Sequence, residues 1–426
     1  MKKIVYLWLF ISFNIASLVH AQKVISPPYK VGQKVYHIIK GVPTVATIID
    51  SYQSEDWAYK VQYENGSKSK GFEDQINFTS IPAFPEILPK KYLTVLSFTN
   101  ENFLSPKKSK VAFGVNVQPK LTNDCQLIDI HYASKEQKIY VMGFPNDMSI
   151  EVDVYDFYIL ESFSFDNKQK KSITEAYLKA VEYICKRFPS ENYALKYTGH
   201  GTYNGTFEGT LVDKEYEYFL ENATQIQKKV SLKDKFAFFD WSTLCENNSW
   251  ANMKVEYKYA DYILGSELMR GGILYNPPNE DETDKILDAS TTYLTHWNKN
   301  KSIEEGILHF LEVEKTIFNN LLPFASKQQI PQSINLYKTA SFKNIQSVLE
   351  QGLNDAKIIE KASYSSFEYE KIDLRIVYDA TNKGNNEWDN FLLKRIVNHA
   401  PNQGLDWGML PDYKNLKRAK GIFTYK

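Results

Sequence analysis

Tyr193-Ala194-Leu195-Lys196-Tyr197-Thr198-Gly199-His200-Gly201 and Phe236-Ala237-Phe238-Phe239-Asp240-Trp241-Ser242-Thr243-Leu244-Cys245 are the stretches that decide the fold. Each opens as a short apolar, aromatic-rich run of strand length and gives way to small or polar residues, the pattern of a buried strand leading into a loop. Before the first, an amphipathic helix is predicted over about Ile173 to Arg187, stopped by Phe188-Pro189. Further strand-like runs lie at Tyr92 to Phe98, Lys138 to Met142 and Tyr158-Ile159-Leu160, and Tyr262-Ile263-Leu264-Gly265-Ser266 follows a helix-like segment. Strands separated by helical stretches point to an α/β fold with a mostly parallel sheet flanked by helices. In such sheets chemistry gathers beyond the carboxyl ends of the strands. His200 and Cys245 both stand at such ends.

Toward the N-terminus, Met1-Lys2-Lys3, an apolar run from Ile4 to Val19 and Val19-His20-Ala21 read as a cleaved signal peptide over residues 1–21. The apolar run is short for a membrane span, and Asn14 and Ser17 interrupt it. No stable membrane insertion is expected after cleavage, and a secreted or periplasmic chain would begin near Gln22. Residues 29–79 alternate in strand fashion, with a hairpin signal at Asn65-Gly66. Their order, VGQKVY, TVATIID, YKVQYENGS and FEDQI, resembles a small all-β SH3-like or Tudor-like barrel. Three prolines within residues 80–91 mark a linker. The core is assigned to residues 92–300, and a helical or α+β extension to 301–426. That extension holds helices near Ile303 to Phe310 and Phe342 to Leu353, with a late strand over Leu374 to Tyr378.

Lys plus Arg and Asp plus Glu both number 51, so net charge gives no reason to invoke nucleic acid. Oligomeric state has no sequence signal. The three cysteines, Cys125, Cys185 and Cys245, cannot all pair. Cys185 lies on the apolar face of the predicted helix and Cys125 begins a strand-like run, so both read as structural. Cys245 is the thiol left for chemistry. A thiol attacks as thiolate, and an imidazole titrating near neutrality is suited to take its proton. The oxygen of an attacked acyl group then needs main-chain N–H donors, and a glycine beside the base lets the main chain come close. His200 and Gly201 supply base and donor, and the Cys245 N–H the second donor.

The run FPSENYALKYTGHG, followed by FFDW, YADYILGSE and QSINLYK, resembles the clostripain-like cysteine peptidases, of caspase-like fold, from about Tyr92 to the C-terminus. His200 precedes Cys245 by 45 residues, close to the roughly 50 of caspase-type enzymes. The resemblance implies a secreted endopeptidase acting on protein or peptide through an acyl-enzyme, with His200 as base and Cys245 as nucleophile. The family's Asp-Ala-Cys block, anchored on Asp240, would put cysteine where Ser242 stands. Counting back from Tyr259-Ala260-Asp261-Tyr262 without a gap puts it at Cys245, which is preferred because a loop beyond a strand absorbs three residues. The family's aspartate two before the cysteine lines a pocket for basic side chains. Thr243 holds that position here, leaving Asp240 as the candidate for cleavage after Arg or Lys. Asp261 and Glu267 are alternatives, read first as solvated or helix-capping carboxylates.

Relatives mature by self-cleavage between histidine and cysteine, which makes Lys228 and Lys229, in a polar stretch read as a loop, hypothetical autoprocessing sites. Some relatives use calcium, for which Asn279 to Asp284 is the candidate, read first as a solvated loop. No metal site is predicted: no His-Glu-x-x-His or cysteine pair suggests zinc. His37, His131, His296 and His309 read as ordinary structural residues. The competing function is a catalytically inactive homologue that binds peptide or glycan. A structural surface component would need repeats that are absent from the sequence.

Overall fold

A computed structural model describes residues 27–39, 42–53, 56–63, 65–80, 90–100, 122, 124–143, 158–199, 205–206, 210–244, 247–267, 293–321, 332–366, 369–382, 386–398 and 421–426. The signal peptide, most of the linker, the acidic stretch 279–284, and His200, Gly201 and Cys245 lie outside the described residues. The chain divides into two compact units, residues 1–83 and 84–426.

The first unit is an antiparallel five-stranded sheet built from β1 (Lys34–Ile39), β2 (Val42–Gln53), β3 (Trp57–Tyr63), β4 (Glu73–Asp74) and β5 (Phe78–Ser80), in the order β4-β3-β2-β1-β5. Val35, Ala46, Ile48, Tyr59, Val61 and Phe78 form its core. Gly66, at φ 82°, occupies the turn after β3 that only glycine adopts freely.

The second unit begins with β6 (Lys91–Asn100), β7 (Cys125–Ala133), β8 (Lys138–Gly143), β9 (Tyr158–Ser164), α1 (Lys170–Arg187) and β10 (Ser190–Tyr197). A short hairpin, β11 (Gly205–Thr206) with β12 (Leu211–Val212), leads into α2 (Asp213–Ser231), β13 (Phe236–Asp240), α3 (Trp250–Glu256), β14 (Ala260–Gly265), α4 (Ile303–Leu321) and β15 (Gln332–Lys338). After these come α5 (Phe342–Gly352), α6 (Ala356–Ala362), β16 (Ser363–Ser366), β17 (Tyr369–Asp373), α7 (Leu374–Thr381), α8 (Glu387–Phe391), β18 (Leu392–Asn398) and β19 (Phe423–Tyr425).

Nine strands form the central sheet, ordered β18-β15-β14-β13-β10-β6-β7-β8-β9. The five from β14 to β7 are parallel, and antiparallel strands extend the sheet on both sides. The sheet is therefore mixed, and the parallel block carries the strand ends that lead toward His200 and Cys245. One face packs on α1 and α2, where Ile173, Ala176, Tyr177, Ala180, Val181 and Ile184 recur at helical spacing and are buried. Of these, Ile173, Val181 and Ile184 each contribute roughly 1.5–3 kcal/mol on removal from water. The other face packs on α4 through Ile307, Phe310 and Leu311, with Trp297 stacked on Phe238 at 5.1 Å.

Residues 374–378, expected as a strand, are helical. Asp373 caps α7 by accepting hydrogen bonds from the N–H groups of Arg375 (2.8 Å) and Ile376 (3.2 Å), and Leu374, Val377 and Tyr378 bury at helical spacing. The capping aspartate outweighs the β-branched Ile376-Val377 pair that suggested extension.

Candidate active site

β10 and β13 are neighbours in parallel register, Lys196 opposite Asp240, so the segments leading to His200 and to Cys245 leave the sheet at the same rim. The Thr243 hydroxyl donates to the Tyr197 carbonyl at 2.8 Å and ties the two exits together. The Thr198 N–H donates to the Phe98 carbonyl, continuing the β10–β6 pairing past Tyr197. Gly199 has no room for a side chain, because a Cβ there would meet the Tyr197 ring at about 2.5–2.8 Å.

On the cysteine side, Trp241 N–H donates to the Leu264 carbonyl and Leu244 N–H to the Trp241 carbonyl, closing a tight turn over residues 241–244. Ser242 is buried. Its hydroxyl (2.6 Å) and N–H (3.1 Å) both donate to Asp240 Oδ1, so the serine found where the family's cysteine was a candidate is engaged in holding this turn. Beyond Cys245, Asn248 N–H donates to the Ser266 carbonyl. The Asn252 amide donates to the Asn247 carbonyl, and Ser249 caps α3 by accepting from Asn252 N–H. The residues flanking Cys245 and Glu246 are thus pinned on both sides.

The face of the parallel strands that packs on α4 changes character along its length. Val95, Leu127, Ala194 and Phe238 are apolar. One pleat further toward the carboxyl rim, the in-register row reads Asp129, Ser97, Lys196, Asp240. Lys196 Nζ lies 2.8 Å from Asp240 Oδ2, and the aspartate side chain is fully buried. Asp129 accepts from Thr99 Oγ1 at 2.8 Å, and the same hydroxyl is 3.1 Å from His131 Nδ1. Burial pushes the Asp129 carboxyl up to about 7, partly offset by hydrogen bonds from Thr99 and Ser97. His131, read from the sequence as an ordinary strand residue, lies one pleat beyond this row, opposite Thr99. The signal was present in Leu127, Asp129 and His131 and in Val95, Ser97 and Thr99, which turn polar at alternate positions toward the strand ends.

Glu267, just past β14, is buried and not the solvated or capping carboxylate expected. Arg395 binds its Oε1 through Nε (3.0 Å) and Nη2 (2.6 Å), while Ser333 Oγ (2.5 Å) and the Asn335 amide donate to Oε2. The antiparallel strands β15 and β18, which no local motif links to residue 267, supply these partners. Asp261 is exposed on β14. Glu256, at the end of α3, is fully buried and accepts from Tyr216 Oη at 2.7 Å and, more weakly, from the Asn247 amide at 3.5 Å.

Lys228 and Lys229 occupy the last turn of α2, not a loop. Their charge suits the negative end of the helix, and Leu232 terminates it in the left-handed conformation at φ 63°. Lys228 also pairs with Asp234 at 2.6 Å.

Burial pushes the Cys125 thiol up to about 12, and it donates to the Trp297 carbonyl. Cys185 is buried within α1 and pushed up for the same reason. Both stay protonated near neutrality, as structural cysteines do. Among the described residues no cluster of three or more His, Cys, Asp or Glu side chains is arranged to hold a metal ion. Nor is any helix among them long and apolar enough to cross a membrane.

No protein-family model matches the sequence, and no curated protein does. Among solved structures, a secreted C11 cysteine protease from Bacteroides thetaiotaomicron, in complex with an irreversible peptide inhibitor, aligns with a TM-score of 0.53 and 13% identity over 79% of this chain and 93% of its own. An inactive zymogen C11 protease from Parabacteroides distasonis aligns with a TM-score of 0.48 and 13% identity over 80% and 93%. A further structure of a secreted C11 cysteine protease from Bacteroides thetaiotaomicron, iotapain, gives 0.43 and 11% over 73% and 87%. The mixed sheet with helices on both faces is the caspase-like fold of the inhibitor-bound C11 protease.

Proposed function

We propose that this chain is an exported cysteine endopeptidase in which Cys245 is the nucleophile and His200 the general base. The observation that carries the reading is the Thr243–Tyr197 hydrogen bond between two adjacent parallel strand exits, one leading in three residues to the imidazole and the other in two to the thiol. The imidazole takes the thiol proton, and the thiolate adds to the scissile carbonyl. The Gly201 and Cys245 N–H groups receive the developing oxyanion, and the imidazolium passes its proton to the departing amine. Water then attacks the thioester, using the same imidazole as base, and frees the enzyme.

Residues 1–21 direct the chain to the periplasm or the exterior and are then removed, and the N-terminal sheet is an SH3-like appendage to the peptidase unit. Maturation by a cut after Lys228 or Lys229 requires the last turn of α2 to fray, because a protease binds its substrate extended. Cys245→Ala and His200→Ala, assayed on a broad library of internally quenched peptides, test the reading. Turnover in the parent and its loss in both variants is expected. A parent that cleaves nothing refutes the assignment and leaves the peptide-binding homologue, and a Cys245→Ala variant that still cleaves refutes Cys245 as the nucleophile.

A further inference from the structure

We propose that Asn248 is a positioning residue for Cys245, fixing the return of the nucleophile loop through its side-chain hydrogen bond to Tyr337. The inference rests on the peptidase reading above and deepens it.

Only Cys245 and Glu246 separate the two described ends of this loop, Leu244 and Asn247. On the near side Thr243 is bound to the Tyr197 carbonyl, which refers the loop to the strand leading to His200. On the far side Asn248 is fully buried and is tied to three strands or their ends. Its N–H donates to the Ser266 carbonyl (3.1 Å) just past β14, and its own carbonyl accepts from the Phe423 N–H (3.2 Å) on β19. Its side-chain amide donates to Tyr337 Oη (3.1 Å) on β15. Ser249, next in the chain, forms a parallel bridge with Phe423. Gly265 leaves the space that the Asn248 side chain fills, since a Cβ there would overlap its Oδ1.

Packing alone does not call for an amide here. Asn248 Oδ1 is buried with no hydrogen-bond partner among the described residues, and an unpaired buried acceptor opposes folding. An apolar side chain of similar volume would fill the space without that cost. What it could not supply is the directional bond to Tyr337. The two main-chain bonds fix where the chain passes, and the side-chain bond, made to a third strand, fixes how it is turned there. Three residues upstream, that turn sets where the thiol stands relative to the imidazole, and a misplacement of about 1 Å can cost about a hundredfold in rate.

The experiment compares the full mature chain with Asn248→Leu, Tyr337→Phe and the double variant. Each single variant is expected to lower kcat by about tenfold or more with KM within about twofold of the parent. Each should also move the pH midpoint of Cys245 alkylation by iodoacetamide upward, toward that of an ordinary thiol, because the imidazole no longer stands in place to favour the thiolate. The double variant should lose no more than the worse single variant, as the two partners of one bond do. Tyr337→Phe removes a single oxygen from a buried ring and keeps the test open if Asn248→Leu does not fold. Folded variants with parental kcat, or losses that multiply in the double variant, overturn the inference and leave the peptidase assignment intact. A lower kcat with an unmoved alkylation midpoint marks a merely structural contribution and overturns it too. A parent with no turnover and an unreactive Cys245 removes both readings.

Discussion

Glu256→Gln should remove a large part of the pH dependence of stability. The carboxyl is fully buried at the end of α3, and burial raises it from 4.5 to about 7, with Tyr216 and Asn247 offsetting only part of that rise. A carboxyl raised on folding binds its proton more tightly in the native than in the unfolded state. Its contribution is therefore intact below about pH 4.5 and declines as pH rises to about 7, where the loss levels off. At about 1.4 kcal/mol per tenfold change in proton affinity, the full loss is on the order of 3 kcal/mol, most of which falls between roughly pH 5 and pH 8. Glutamine keeps an oxygen to accept from Tyr216 and cannot ionise. Urea unfolding followed by tryptophan fluorescence, on parent and variant at both pH values, gives the difference directly. Asp129, also raised to about 7, is present in both proteins and cancels from the comparison. Parent and variant losing equal stability between the two pH values would refute the argument that burial of Glu256 opposes its ionisation.

Iodoacetamide near neutral pH should label the native chain once, at Cys245, because Cys125 and Cys185 are buried thiols raised far above neutrality. Peptide mapping that finds either of those two modified first would contradict this. Lys196→Met should destabilise the fold by about 3–5 kcal/mol, since it removes the cation that faces the fully buried Asp240 carboxylate. A denaturation midpoint unchanged from the parent would show that the pair contributes nothing. Gly265→Ala should cost about 1–3 kcal/mol, because the new Cβ would collide with the Asn248 side chain that reaches Tyr337. Thermal melting measures it, and an unshifted Tm would rule out the clash.

The parallel block was legible because its strands are continuous apolar runs that end abruptly in polar residues, the local signature of strands buried on both faces. Tyr193 to Tyr197 and Phe236 to Asp240 gave the positions of the two rim exits without any long-range information. Residues 374–378 misled because Ile376 and Val377 suggest a strand, whereas the capping contacts of Asp373 and burial against neighbouring helices favour α7. Lys228 and Lys229 misled in the opposite direction. Polar sequence at the end of an amphipathic helix looks like a loop when the apolar stripe through Tyr216, Phe219, Leu220 and Ala223 is not followed to its last turn. The partners of Glu267 were out of reach for a different reason: Ser333, Asn335 and Arg395 lie 66 to 128 residues away and meet it only when β15 and β18 close the sheet.

That long-range closure explains how one chain supports its strand ends from both sides. A buried carboxylate without a cation would be costly, so Asp240 can stand in a strand only if β10 offers Lys196 in register, and Glu267 only if β18 offers Arg395. Each pair couples two segments, so a shift of β10 against β13, or of β18 against β15, would strand a charge and not merely loosen packing. Register at the carboxyl rim is thereby fixed by electrostatics where the apolar pleats below it end. The proposed catalytic pair on these adjacent exits would need its geometry held closely, and the Lys196–Asp240 pair, below the Thr243–Tyr197 tie, joins the two strands just before the exits begin.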